Sequence, residues 1–450
     1  ANSDKKLPVM IWIHGGAFVF GYAKKFPADG IITNLVNRGV VVVTIQYRLG
    51  ALGFFTTRTH DFEANLGLFD QLMAFRWVQR EISNFGGDAG NVTIFGESAG
   101  ACSVAFHTYS NISVTQNLYH RAIIESGAAK TCLSGYLYRD QQQSHDFALK
   151  LCAKYNFTTA QWNSGNFNNL NTCLNTESYA SIVEAQKAGV WLVVAHPNST
   201  FLPGMPKQLA EAMGKNRPPL PVIIGTNRDE MVADVGNNTS QGQTPLKDFT
   251  SDAVIAQAKI IAANYPNNND KIADILGRVY KSPYINSTDN IGWLKAITQM
   301  NTARNFFGPT LEDAKIWLGT NGNPNVRMYS LEYGASALSD YYAATPGYTP
   351  VAHTFDLAYI FILPDFWIPF LKNISASDRS MIDQFGQMWT NFAKYGDPTP
   401  SSSNLPRWDP ISLQHQDSYY IINNPSMMAS PYFWKDTLLY NDVIPTLAQI

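Results

Sequence analysis

No apolar run in the 450 residues approaches the roughly 18 to 20 that a membrane-spanning helix needs. Basic blocks are missing as well: Lys and Arg are dispersed and the formal net charge is -2 at pH 7, so the electrostatic footprint of a nucleic-acid-binding protein is absent. Motifs for other chemistries are lacking too. There is no H-E-x-x-H or C-x-x-C pair for a metal, no G-x-x-x-x-G-K-[ST] loop for a nucleotide phosphate and no dinucleotide fingerprint, so no cofactor or metal is implied. Charged residues are sparse, at 15% against 45% hydrophobic, which argues against long disorder and provides for a large core.

What is present is an alternation of strand and helix. Leu7 to Ile13, Gly39 to Tyr47, Asn91 to Phe95, Arg121 to Glu125, Pro221 to Gly225 and Val326 to Leu331 are short, β-branched apolar runs bounded by turn residues, as buried parallel strands are. Leu68 to Arg80 has a helical period, with Leu72, Phe75, Trp77 and Val78 on a broad apolar face. This order predicts an α/β fold with a mostly parallel, doubly wound sheet, in one domain spanning residues 1–450. Residues 133–218 and 232–323 carry weaker strand signals and more helical or Asn-rich character. They are expected to be helical insertions over the carboxyl edge of the sheet, where such folds bind ligands.

Two motifs carry chemistry. Gly96-Glu97-Ser98-Ala99-Gly100 follows a strand and precedes a helix, the context a G-x-S-x-G nucleophile elbow requires. The turn forces its serine into a strained backbone that only small neighbours tolerate, which lifts Ser98 Oγ clear of the sheet. A bare glycine-rich turn would share the pattern without its flanking strand and helix. The second motif, Trp12-Ile13-His14-Gly15-Gly16-Ala17-Phe18, follows the first strand as an oxyanion loop does, with Gly16 and Ala17 as N–H donors beside that of Ala99.

Further segments run through the chain: Gln46-Tyr47-Arg48-Leu49-Gly50, Asn65-Leu66-Gly67, Phe85-Gly86-Gly87-Asp88, Glu125-Ser126-Gly127, Gly225-Thr226-Asn227-Arg228-Asp229-Glu230 and His353-Thr354-Phe355-Asp356-Leu357. Together with the elbow they resemble the type-B carboxylesterase and lipase family, the cholinesterase-like branch of the α/β hydrolases. The resemblance implies the α/β-hydrolase fold, carboxylic ester hydrolysis and a triad in the chain order serine, acid, histidine. Ser98, Glu230 and His353 comply. Pattern alone leaves Asp229 open beside Glu230, and the resemblance selects Glu230. It also implies supporting roles for Glu97, a buried acid beside the nucleophile, and for Ser126, a serine bonded to the triad acid. Of the other histidines, His14, His107 and His120 are expected to be structural, and His60, His145, His196 and His415 lie without a partner motif.

Cys102, Cys132, Cys152 and Cys173 allow three full pairings or four buried thiols. The loop-like stretch between Cys152 and Cys173, with a similar loop disulfide in the family, favours that pair. Asn-x-Ser/Thr sequons begin at Asn91, Asn111, Asn156, Asn198, Asn237, Asn238, Asn286 and Asn373, so N-glycans and a secreted location are expected. The family's amino-terminal segment, with its edge strands and lid loop, is not seen ahead of Leu7. Ala17 stands where the family more commonly has a third glycine, and it crowds the space beside a reacting carbonyl. Short to medium acyl esters are therefore the expected substrates. The alternatives are a lipase or sterol esterase acting on long-chain esters, and a catalytically silent adhesion protein, against which the intact Ser98, Glu230 and His353 argue.

Overall fold

The computed structural model describes residues 6–133, 137–186, 191–233, 235, 244–265, 267–321, 323, 325–335, 345–363, 367 and 374–449. The chain forms two compact units. One comprises Ala1–Lys25, Val41–Ile123 and Ala129–Pro218, the other Phe26–Val40, Ile124–Ala128 and Pro219–Ile450.

Eight strands are present among the described residues: β1 (Leu7–Ile13), β2 (Val41–Thr44), β3 (Gly87–Glu97), β4 (Arg121–Glu125), β5 (Val222–Asn227), β6 (Val326–Leu331), β7 (Tyr419–Ile422) and β8 (Met427–Ala429). Their order in the sheet is β2-β1-β3-β4-β5-β6-β7-β8. In the first unit β1 pairs in parallel with β2 and β3, and in the second β5, β6 and β7 pair in parallel while β8 returns antiparallel to β7. Every residue of β5 and β6 is buried, which explains their continuous apolar reading: a strand covered on both faces has no polar alternation to display. This is the expected mostly parallel α/β sheet, with helices between its strands.

Departures from the sequence reading have local causes. β2 is shorter than Gly39 to Tyr47 because Gly39, at φ 83°, caps the preceding helical turn instead of extending. β3 runs on to Glu97, so Ser98 follows the last strand residue directly. β7 and β8 were not expected, being only four and three residues long, too short for a strand period to show. Trp77 is not on the buried face of the helix Leu66–Glu81; Leu68, Leu72, Phe75 and Val78 are, while Trp77 is 39% exposed and leans on Phe85.

The two stretches expected to be helical are so among the described residues. Leu137–Cys152, Thr159–Ser164, Asn168–Thr176, Tyr179–Ala185 and Pro206–Met213 occupy the first, and Ser251–Ala262, Asn269–Tyr280, Asn290–Thr302 and Gly308–Asn321 the second. Cys152 and Cys173 form the expected disulfide, with a Cα–Cα distance of 5.6 Å. Cys102 and Cys132 form another, at 6.3 Å, linking the helix Ala99–Tyr109 to the helix Ala129–Leu133. The long helix Ala376–Tyr395 starts at a capping box on Ser375 and presents Phe385 and Trp389 to a chain of rings that includes Tyr359 and Tyr329. Trp389 also donates to Glu125 Oε1 at 2.6 Å.

Candidate active site

In the first unit the turn after β3 places Ser98 at φ 58° and ψ -126°, a combination that costs an L-residue about 1–3 kcal/mol. The packing around it over-determines this strain. A Cβ on Gly100 would lie 2.0 Å from the Ile13 carbonyl oxygen, and one on Gly96 would lie 2.7 Å from the same atom, so β1 and the helix Ala99–Tyr109 approach as only glycines permit. Ser98 O accepts from Cys102 N–H at 2.9 Å, closing the first turn of the helix Ala99–Tyr109. Ala99 N–H, at its first position, is one of the donors a helix start leaves without an internal carbonyl.

The loop after β1 lies against this elbow: a Cβ on Gly15 would fall 2.6 Å from Glu97 O and 2.9 Å from Ser98 Cβ. Gly16, Ala17 and Phe18 are consecutive positive-φ residues at 112°, 52° and 60°. Gly16 O accepts from Val19 and Phe20 N–H, and Phe18 is buried against Phe54, which anchors the loop. His14 orders it, as expected. Its Nδ1 is 2.9 Å from Gly15 O, its ring stacks on Tyr47 at 4.6 Å, and Tyr47 OH donates to His14 O at 2.8 Å. Burial lowers the His14 pKa, so the neutral ring donates to Gly15 O. Glu97 is buried at the end of β3, with its carboxylate beside Gly15.

In the second unit Glu230 follows β5, and its side chain is fully buried. His353 Nδ1 is 2.7 Å from Glu230 Oε2, and Asn227 N–H donates to Oε1 at 2.7 Å. His353 N–H reaches Glu230 O at 3.3 Å, and the imidazole, 28% exposed, rests against Phe306. Asp229, the competing acid, is engaged elsewhere: its Oδ2 accepts from Val351 N–H at 2.8 Å and from Arg228 Nε at 2.9 Å. Ser126 is buried on a positive-φ turn with its N–H on Gly225 O, but its hydroxyl makes no hydrogen bond among the described residues. The bond expected of it to Glu230 is not made among the described residues, where Glu230 Oε1 accepts from Asn227 N–H.

Other histidines have structural partners. His107 is fully buried between Ser113 and Gln71, and burial pushes its pKa down to about 3. His120 Nδ1 accepts from Val92 N–H at 3.1 Å. The structure thus joins Glu230 to His353 in one unit and the loop at Gly16 and Ala17 to Ser98 in the other. Two participants escaped sequence reasoning: Asn227, which lies in a motif block but whose contact is made by its backbone, and the Cys102–Cys132 disulfide one turn beyond Ser98. Among the described residues no cluster of three His, Cys, Asp or Glu could hold a metal.

A family model described as the carboxylesterase family matches residues 1–436. Acylcarnitine hydrolase of Mus musculus is 32% identical over 427 residues, which is 93% of this chain and 68% of the mouse protein. Liver carboxylesterase of Sus scrofa is 31% identical over 459 residues, 98% of this chain and 74% of that protein. Pyrethroid hydrolase Ces2e of Rattus norvegicus is 30% identical, covering 93% of this chain and 67% of its own.

Proposed function

The chain belongs to the carboxylesterase family of ester-hydrolysing serine hydrolases, and from that premise we propose that it cleaves carboxylic esters of short to medium acyl length with Ser98 as nucleophile, His353 as base and Glu230 as the carboxylate that orients His353. The observation that carries this reading is the 2.7 Å contact between His353 Nδ1 and Glu230 Oε2. A carboxylate there keeps the proton on Nδ1 and leaves Nε2 as the acceptor that a serine hydroxyl needs.

In this reading Ser98 Oγ attacks the ester carbonyl carbon while His353 Nε2 takes its proton. The carbonyl oxygen, now an anion, is received by the N–H groups of Gly16, Ala17 and Ala99, each worth about 3 kcal/mol at such a site. Collapse expels the alcohol, which leaves with the proton held by His353, and water then repeats the sequence to release the acid. The strain at Ser98 supports catalysis over a purely adhesive role, because a binding protein would gain nothing from a serine held at a cost of about 1–3 kcal/mol.

Acyl length follows from Ala17, whose methyl group sits on a left-handed backbone within the loop. Initial rates on dissolved p-nitrophenyl esters from acetyl upward test this. Rates falling with chain length are expected, whereas activity that rises only once long-chain triglyceride forms an emulsion would replace the esterase reading with the lipase one.

Two disulfides, and no helix among the described residues long and apolar enough to cross a membrane, fit a secreted protein made in an oxidising compartment. Exposed Asn111, Asn156 and Asn286 are the favoured glycan carriers. The Asn198 amide is committed to Arg58 O at 2.9 Å, and Asn237, Asn238 and Asn373 lie outside the described residues.

A further inference from the structure

A cavity of about 530 Å³, a size that small organic ligands occupy, is lined wholly by residues of the second unit. Ser98, Glu230 and His353 are not among them. Arg228 and Asp229, in the turn after β5, contribute charged groups, as does Lys295 on the helix Asn290–Thr302. Phe307, Tyr348 and Phe433 contribute rings. A sphere of that volume is about 10 Å across, so one ligand with an aromatic body and a short charged arm can touch both kinds of wall.

Two irregularities of the backbone build the aromatic wall. Phe307 ends the π-helical turn Ala303–Phe307, a feature that recurs at functional sites. Phe433 sits at φ 39° and ψ 48°, a left-handed conformation that strains a bulky residue. Their rings meet face to face, with centroids 3.7 Å apart and planes 2° from parallel, where free aromatic pairs prefer an offset or an edge. The backbone therefore holds the two rings as one slab. Phe433 is only half-buried, so part of that slab is open to a ligand.

The charged groups are not equivalent. Arg228 is engaged by the protein itself: Nε is 2.9 Å from Asp229 Oδ2, and its terminal nitrogens donate to Glu332 O at 3.1 Å and Thr349 O at 2.8 Å. Asp229 Oδ2 also accepts from Val351 N–H. Lys295 differs: its exposed ammonium stands 4.7 Å from the centre of the Tyr348 ring, and no carboxylate pairs with it among the described residues. Water hydrates an ammonium without cancelling its charge. The lining thus holds two cations against one carboxylate, and that carboxylate is already matched to Arg228.

We propose that this cavity binds an aryl monocarboxylate, with the carboxylate on the Lys295 ammonium and the aromatic body against the Phe433–Phe307 slab. Asp229 selects for a single negative charge, because a second one would meet a fixed anion in the same cavity. The proposal goes beyond ester hydrolysis and does not depend on which residues carry it.

The test uses the whole chain and two probes of the same shape, 1-naphthylacetate and its uncharged amide, titrated calorimetrically. Titrations are run before and after treatment with a fluorophosphonate ester, so that acid binding beside Ser98 is told apart from binding in the cavity. Mass spectrometry of the treated protein reports on the Ser98 assignment separately. The acid should show saturable binding that survives the treatment, and the amide should bind about five-fold or more weakly. Lys295→Met should weaken the acid by about the same factor and leave kcat on a short ester unchanged. Phe433→Leu, which keeps bulk but loses the stack, should weaken both probes about three-fold or more. No saturable binding, equal affinity for acid and amide, undiminished binding in either variant, or loss of kcat in Lys295→Met would each overturn the proposal. Should a variant fail to fold, the comparison of acid with amide on the wild type decides alone.

Discussion

Around Ser98 the geometry is made by backbone: a φ of 58°, glycines pressed against the Ile13 carbonyl, and a run of positive φ through Gly16, Ala17 and Phe18. Around His353 it is made by side chains, with a buried carboxylate from the end of β5 bonded to an imidazole 123 residues further along the chain. The first arrangement tolerates almost no added atoms. The second tolerates changes of residue beside it provided the hydrogen-bond donors and acceptors stay matched.

The comparison is sharpened most strongly at adjacent acids. Glu230→Gln keeps shape but loses the charge that holds His353, and kcat should fall about 10³–10⁴-fold. Asp229→Asn, one residue away and bonded to Val351 and Arg228, should cost less than about ten-fold. Steady-state rates on a short ester check both; equal losses would mean that the two acids share the role.

The disulfides come next. Closing loops of 21 and 30 residues stabilises by about 3–4 kcal/mol each in the chain-entropy model. Replacing Cys152 and Cys173 by Ala should lower the denaturation midpoint with kcat unchanged. Replacing Cys102 and Cys132, which brace the helix Ala99–Tyr109 one turn from Ser98, should lower both. Denaturant titration alongside activity separates the two outcomes.

Much of this was legible in advance for a physical reason. The elbow and the loop after β1 are each local patterns, so the steric demand for Gly96 and Gly100 is written within two residues of Ser98, and that for Gly16 within the short run after β1. The pairing of Glu230 with His353 was legible only through chain order and family blocks, since no local rule links the two residues. What stayed hidden depends on tertiary contacts or on backbone atoms: the Cys102–Cys132 pair, the Asn227 N–H on Glu230, and the short strands β7 and β8. Ser126 shows the converse, a motif residue whose expected bond is not made among the described residues.

Smaller effects probe the frame behind Ser98. His107 is buried neutral, with a folded pKa of about 3 below its unfolded value near 6.5. The unfolded state therefore binds the extra proton, and its stabilising contribution is present above about pH 6.5 and is lost as pH falls toward 3, at up to about 1.4 kcal/mol per unit. His107→Gln should flatten that decline in denaturation curves taken from neutral to acid pH; an unchanged slope would contradict it. Smallest of all, Trp77→Ala should cost less than about 1 kcal/mol, whereas Phe75→Ala, on the buried side of the same helix, should cost about 3–5 kcal/mol.

The central claim is that the strained serine is the nucleophile and that His353 and Glu230 activate it. Incubation with a fluorophosphonate ester, which phosphonylates activated serines, followed by peptide mass spectrometry, tests it most directly. The account predicts one adduct, on the peptide containing Ser98, that is abolished in Ser98→Ala together with ester hydrolysis by about 10³-fold or more, and that forms far more slowly in Glu230→Gln. An adduct on a different residue, or wild-type hydrolysis in Ser98→Ala, would contradict it.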